Sequence, residues 1–231
     1  DAVLAVSLGG DGTMLRTVHL LEGAGVPVIG VNLGTLGYLT EIEPAGLEAA
    51  LERWFAGPSH GDWYLEERMM LDLTVHRSGA AVVTWRALNE GVVEKQESGH
   101  TVRLQVSIDG ADFTSYAADG LILSTPTGST AYSLSARGPV LSPRSRAILL
   151  TPVSPHMLFD RSLVLDPTET VEVEVLGHRA VTLSIDGQPA VSLTEGDRVS
   201  VGASEHVARF VRFGERRFHQ ILKAKFGLSD R

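Results

Sequence analysis

The hydrophobic pattern of this chain changes period between Trp63 and Glu66, and that change restricts its fold more than any other feature. From Ala2 to about Trp63, short apolar runs alternate with helical patterns: AVLAVS, TMLRTVHLLEG, VPVIGV and GLEAALERWFAG. Strand, helix, strand, helix in that order predicts a parallel α/β layer. From about Glu66 the apolar residues recur at every second position. Val102, Leu104, Val106 and Ile108 alternate with Arg103, Gln105, Ser107 and Asp109; Val171, Val173 and Val175 alternate with Glu172 and Glu174; Val181, Leu183 and Ile185 alternate with Thr182 and Ser184. Asp109-Gly110 and Asp186-Gly187 are hairpin dipeptides at the ends of such runs. This part is expected to be an antiparallel β-sandwich.

The last stretch, ERRFHQILKAKFG, sets Phe218, Ile221, Leu222 and Phe226 at helical spacing and closes on Gly227. A helix returning to the α/β layer is expected there, with Arg216, Arg217, Lys223 and Lys225 as a solvated face. The expected division is an α/β domain over residues 1–64, with 209–231 packing back on it, and a β-sandwich over 65–208. The chain opens on Asp1 almost directly into a strand, without an initiator Met, so an N-terminal portion is expected to precede it.

Composition removes several classes of function. With no cysteine, disulfides, thiolate metal sites and thiol nucleophiles are excluded, and a reducing, cytoplasmic location is expected. A net charge of -8 argues against a broad nucleic-acid or membrane surface, though not against a small anionic ligand held by local dipoles. No apolar run is long enough to cross a bilayer. The eight histidines, His156 among them, show no HExxH or paired-ligand spacing, so no metal ligand is assigned.

Behind the first strand stands LGGDGTM, Leu8 to Met14. It is not a P-loop, because no Lys-Ser/Thr follows the glycines, and not a dinucleotide fingerprint, because Leu15 stands where the last Gly or Ala belongs. A loop between the end of a strand and a helix starting near Thr13 lies where open α/β sheets bind ligands. Gly9, Gly10 and Gly12 let backbone amides approach phosphate oxygens, and the helix N-terminus favours negative charge. A carboxylate there repels phosphate unless it has another task. That task is to orient a substrate hydroxyl and take its proton during phosphoryl transfer, which makes Asp11 the catalytic candidate. The same residues also fit a helix-capping turn.

A second constellation, DGLILSTPTGSTAYSLSARGP, runs from Asp119 to Pro139 and carries seven Ser/Thr between Ser124 and Ser135. Hydroxyls and backbone amides around Gly128 can bind sugar hydroxyls or phosphates without lysine, and Tyr132 offers a ring face. Asp119 can accept two hydrogen bonds from a ribose or an amide. The alternative is a turn whose hydroxyls satisfy local backbone. Asn89-Glu90, in RALNEGVVEK, pairs an amide with a carboxylate between strand-like runs, and also fits an ordinary turn.

Together these segments resemble the NAD kinase family, ATP- or polyphosphate-dependent enzymes that phosphorylate the adenosine 2′-hydroxyl of NAD to give NADP. The resemblance rests on GGDGT at 9–13, NLGTLGYL at 32–39, Asn89-Glu90, DGLILSTPTGSTAYSLSA from Asp119, and TPVSPHMLFDRSLVL from Thr151. GGDGT alone is shared with lipid kinases of the diacylglycerol type; the long segment is far more specific. The resemblance implies a Rossmann-like N-terminal domain, a β-sandwich C-terminal domain, a terminal segment returning to the first, and a homodimer or homotetramer. A non-catalytic dinucleotide sensor is the competing reading from another class, and retention of Asp11 argues against it.

Residue by residue, the resemblance makes Asp11 the general base, with Gly10 and Gly12 in the phosphate-facing loop and Tyr38 near the NAD adenosine. It assigns Asn89, Glu90, Asp119, Thr130, Ala131, Tyr132 and Ser135 to the dinucleotide pocket. Asp186 matches an Asp near the transferred phosphate in some members, where His follows; here Gly187 follows, so a plain hairpin corner also fits. Arg137 replaces a usual Gly, and Ala117 stands where many NAD-selective members carry Arg. Mg²⁺ is expected only with the ATP phosphates, since it keeps several waters and few protein ligands.

Overall fold

A computed structural model describes residues 2–21, 23–35, 37–77, 83–214 and 218–228. Arg216 and Arg217, and Leu36 of NLGTLGYL, lie outside the described residues. The chain divides into two compact units, Asp1–Arg68 with His206–Arg231, and Met69–Glu205. The chain crosses from one to the other within two long strands.

In chain order the first unit holds β1 (Ala5–Gly9), α1 (Asp11–Leu20), β2 (Val28–Asn32), α2 (Leu47–Phe55), α3 (Pro58–Gly61) and the start of β3 (Tyr64–His76). β1 and β2 pair in parallel, Ala5 opposite Val28 through Gly9 opposite Asn32, as two strands joined by a helix must. α1 buries Met14 and Val18, four residues apart on one face. It begins at Asp11 rather than near Thr13, because the Gly10 carbonyl already accepts from the N–H groups of Thr13 and Met14 at 3.0 and 3.1 Å. Asp11 is therefore in the first helical turn, where the helix dipole favours its charge. α2 turns Leu47, Leu51 and Trp54 toward a cluster built on Ile29, Val31 and Val211. Arg53, in its last turn, donates to the Gly61 carbonyl at 2.6 Å and the Phe213 carbonyl at 3.1 Å.

The second unit continues with β4 (Val83–Ala87), β5 (Glu90–Lys95), β6 (Val102–Ile108), β7 (Ala111–Ala118), β8 (Gly120–Ser124), α4 (Tyr132–Ser135), β9 (Ile148–Val153), β10 (Leu163–Leu165), β11 (Val171–Leu176), β12 (Val181–Ile185), β13 (Gln188–Leu193) and β14 (Arg198–Arg212). One of its layers runs β14-β11-β6-β7, with β3 pairing β14 and β4; the other is a six-stranded sheet, β10-β9-β8-β5-β12-β13. The alternating valines and leucines of β6, β11 and β12 meet Leu121, Leu123, Ile148 and Leu150 in one core between the layers. This is the expected sandwich. Asp109-Gly110 and Asp186-Gly187 both turn hairpins, with φ of 50° and 77° in the first and 45° and 78° in the second.

β14 carries the chain back into the first unit, where Phe210 pairs with Val28 of β2, and α5 (Phe218–Phe226) follows. The helix supplies Phe218 against Tyr38, ring centroids 6.3 Å apart, and Lys225, whose Nζ sits 4.6 Å from the centre of the Tyr38 ring. Lys225 is thus not the purely solvated charge that helical spacing predicts. Its four-carbon stem reaches past the helix surface to an aromatic face, which attracts a cation.

Candidate active site

The glycine loop and its carboxylate are organised within the first unit. Both Asp11 oxygens accept backbone hydrogen bonds from the NLGTLGYL turn, Oδ2 from Tyr38 N–H at 2.8 Å and Oδ1 from Leu39 N–H at 2.9 Å. Gly37 makes this contact possible. A Cβ on it would stand 2.3 Å from Asp11 Oδ1 and 2.6 Å from Thr40 Oγ1. A carboxylate oxygen has two lone pairs, so each Asp11 oxygen keeps an acceptor position after receiving one amide. Gly10 and Gly12 are exposed, and a Cβ on either would meet nothing within 4 Å, so their backbone is open to a ligand. The Tyr38 phenol is raised in pKa by burial and then by the Asp11 charge.

Asn89 and Glu90 are held in the second unit by a carboxylate almost a hundred residues away. Asp186 is 9% exposed, and it accepts from Leu88 N–H at 2.8 Å, Asn89 N–H at 2.7 Å and Glu90 N–H at 3.0 Å. Its own N–H donates to the Glu90 carbonyl at 2.9 Å. Asp186 is therefore a hairpin corner and a buried anchor at once. Spacing gave no hint of that second role. Thr125 Oγ1 adds a bond to the Leu88 carbonyl at 2.6 Å, and Gly128 packs so closely on this segment that a Cβ would lie 2.1 Å from the Asn89 carbonyl oxygen.

The hydroxyl-rich segment is partly occupied with itself. Ser129 Oγ donates to the Pro126 carbonyl and accepts from Leu141 N–H, Thr130 Oγ1 donates to the Thr127 carbonyl at 3.3 Å, and Ser133 Oγ shares a bond with Thr151 Oγ1 at 3.1 Å. The local reading thus holds for Ser129, Thr130 and Ser133. Ser135 and Tyr132 remain exposed, Ala131 donates its N–H to the Gly128 carbonyl, and Tyr132, Ser135, Arg137, Arg161 and Ser162 line a cavity of about 450 Å³. Burial, then the charges of Glu94 and Asp119, raise the Tyr132 phenol. Asp119, expected to offer both oxygens, already receives the Lys95 ammonium on Oδ1 at 2.5 Å, which leaves Oδ2 for another donor.

A parallel strand that ends in a glycine loop, with one carboxylate fixed at the first turn of the following helix, is an arrangement suited to phosphoryl transfer, and the matching families are phosphotransferases. The model of the ATP-NAD kinase N-terminal domain matches residues 1–58, that of the C-terminal domain matches 88–213, and the chain belongs to this family. An NAD kinase of Heliobacterium modesticaldum is 46% identical over 223 residues, covering 96% of this chain and 77% of that protein. One of Citrifermentans bemidjiense is 40% identical over 233 residues, covering 100% and 80%. Among solved structures, yeast NADH kinase complexed with NADH superposes with a TM-score of 0.91 at 31% identity, covering 100% of this chain and 68% of that one. An NAD kinase from Archaeoglobus fulgidus in complex with ATP gives 0.77 at 27% identity, covering 99% and 84%.

Proposed function

We propose that this chain transfers the terminal phosphoryl group of ATP to the adenosine 2′-hydroxyl of NAD, giving NADP and ADP. The observation that carries the reading is the Asp11 carboxylate, held by two backbone N–H groups at the mouth of the glycine loop with an acceptor position free on each oxygen. The bond between the γ-phosphorus and its bridging oxygen breaks, a bond from the 2′-oxygen to that phosphorus forms, and the hydroxyl proton passes to Asp11. The loose transition state releases that proton late, so a carboxylate is a sufficient base and most of the catalysis is positioning. The amides around Gly10 and Gly12, with the N-terminus of α1 behind them, stabilise phosphate charge.

Asn89, Glu90, Asp119, Thr130, Ala131, Tyr132 and Ser135 are the proposed dinucleotide contacts, and Asp186 orients the first two through their backbone. Mg²⁺ is proposed to arrive on the ATP phosphates, where it would neutralise charge on the transferred group. Among the described residues no cluster of three or more His, Asp or Glu side chains converges on a common point, and a phosphate-borne ion keeping its waters needs none. A homodimer or homotetramer in the cytoplasm completes the proposal. Exposed Phe113 and Phe159, packed edge to face at 5.9 Å beside fully exposed Leu158, support association, and no helix among the described residues is long and apolar enough to cross a membrane.

The test is a coupled assay for NADP with ATP and, in parallel, inorganic polyphosphate. NADP formation dependent on one of these donors is expected. Consumption of donor without NADP, or phosphorylation of diacylglycerol instead, would refute the reading.

A further inference from the structure

Glu90 opens β5 and is 5% exposed. Three elements pack against its side chain. β8 presents Ser124, its partner across the antiparallel ladder, so the two side chains share one face of the sheet. The turn after β12 presents the carboxylate of Asp186, and α4 brings the backbone N–H of Tyr132 toward the Glu90 carboxyl. Among the described residues no Lys, Arg or His forms an ion pair with Glu90. Glu90 Oε2 and Ser124 Oγ are both buried without a hydrogen-bond partner. A second negative charge beside Asp186, out of water and without a cation, is unfavourable. Asp186 already accepts three N–H bonds, so of the two carboxyls it is the one whose oxygens are occupied as acceptors.

We infer that Glu90 meets the dinucleotide as a neutral carboxylic acid, because a second buried charge beside Asp186 has no cation among the described residues to offset it. This rests on the dinucleotide reading above. NAD itself carries two phosphate charges, and a neutral Glu90 removes one repulsion that a pair of charged carboxyls would set against it. Burial, followed by the Asp186 charge, pushes the Glu90 carboxyl up to about 8, so the acid form dominates at neutral pH.

Two measurements on the full chain test this. Infrared difference spectra of ligand-free wild type against Glu90→Gln at pH 7 should contain the carbonyl band of a protonated carboxyl, lost at alkaline pH. Calorimetric titration with NAD should show wild-type affinity falling about tenfold between pH 7 and pH 9, the loss expected when a group titrating near 8 must be protonated to bind. Glu90→Gln, which cannot ionise, should bind NAD with an affinity that no longer changes over that interval, whatever its absolute level. A missing infrared band, a flat wild-type profile, or an unchanged slope in Glu90→Gln would each overturn the inference. Failure to bind NAD at every pH would instead overturn the dinucleotide reading and this ligand assignment with it, while the infrared band reports the protonation separately.

Discussion

Asp11 and Tyr38 are joined by a hydrogen bond of 2.8 Å from the Tyr38 backbone N–H to Asp11 Oδ2, so the proposed base is also the clasp on the turn that carries Tyr38. Two variants separate those roles. Asp11→Asn retains one carbonyl acceptor but loses the base, and kcat should fall by roughly 10²-fold or more with NAD binding largely kept. Asp11→Ala should lose activity likewise and, by stranding the N–H groups of Tyr38 and Leu39, should also lower stability by at least about 2 kcal/mol. Steady-state kinetics with urea unfolding of both variants checks this, and an Asn variant of near wild-type rate would remove Asp11 from the mechanism.

Asp186 anchors three backbone N–H groups at once. Each buried donor left unsatisfied costs about 1–3 kcal/mol, so Asp186→Ala should lose at least about 3 kcal/mol of unfolding free energy. Asp186→Asn keeps an oxygen for two of the three donors and should lose less. NAD affinity should weaken in both, because Asn89 and Glu90 lose their register. Equilibrium unfolding and calorimetry read the two effects separately.

The first unit has its own acid-sensitive element. Arg212, 1% exposed, donates from Nε to Glu66 at 2.6 Å and from Nη1 to the Leu39 carbonyl at 2.9 Å, while Arg68 holds the other Glu66 oxygen at 2.9 Å. Burial pushes the Glu66 carboxyl up, but the charges of Arg212 and Arg68 outweigh it and leave it below its ordinary value. Its stabilisation is therefore present above the ordinary carboxylate range and is lost as pH falls through the depressed value. Arg212→Met breaks the network and should cost about 3–5 kcal/mol. Thermal melts from pH 3 to pH 7 should show a shallower acid limb in the variant than in the wild type.

Local periodicity made much of this architecture legible. The i, i+4 spacing of Met14 and Val18, the Leu47, Leu51 and Trp54 stripe, and the alternating valines of β6 and β11 each report which face is buried, which is the property that periodicity encodes. Sequence spacing carries no distance across the fold. The bonds from Asp186 to Leu88, Asn89 and Glu90, from Arg212 to Glu66, and from Asp11 to the Tyr38 turn join residues 27 to 146 positions apart. The GGDGT loop was legible as a candidate site because glycines beside a carboxylate are costly without a purpose. The pairing of Lys95 with Asp119 was not, since strands β5 and β8 had first to be placed side by side.

Ala117, on β7, stands directly opposite Arg103 of β6, and its carbonyl accepts from His156 N–H at 2.7 Å. Without a long side chain at this position the pocket is expected to admit either redox form of the dinucleotide. Phosphorylation of NADH should proceed within roughly tenfold of NAD in kcat/KM, a gap of about 1.4 kcal/mol in transition-state stabilisation, and Ala117→Arg should widen it. A strong wild-type preference for NAD that Ala117→Arg leaves unchanged would show that other residues set the selectivity.

The central claim is phosphoryl transfer to one particular oxygen with Asp11 as base, and phosphorus NMR of the product formed from ATP and NAD tests it most directly. The expected result is a new phosphomonoester on the adenosine 2′-oxygen with wild-type protein, formed roughly 10²-fold or more slowly with Asp11→Asn. A phosphate at another position, or equal rates with the two proteins, would contradict it.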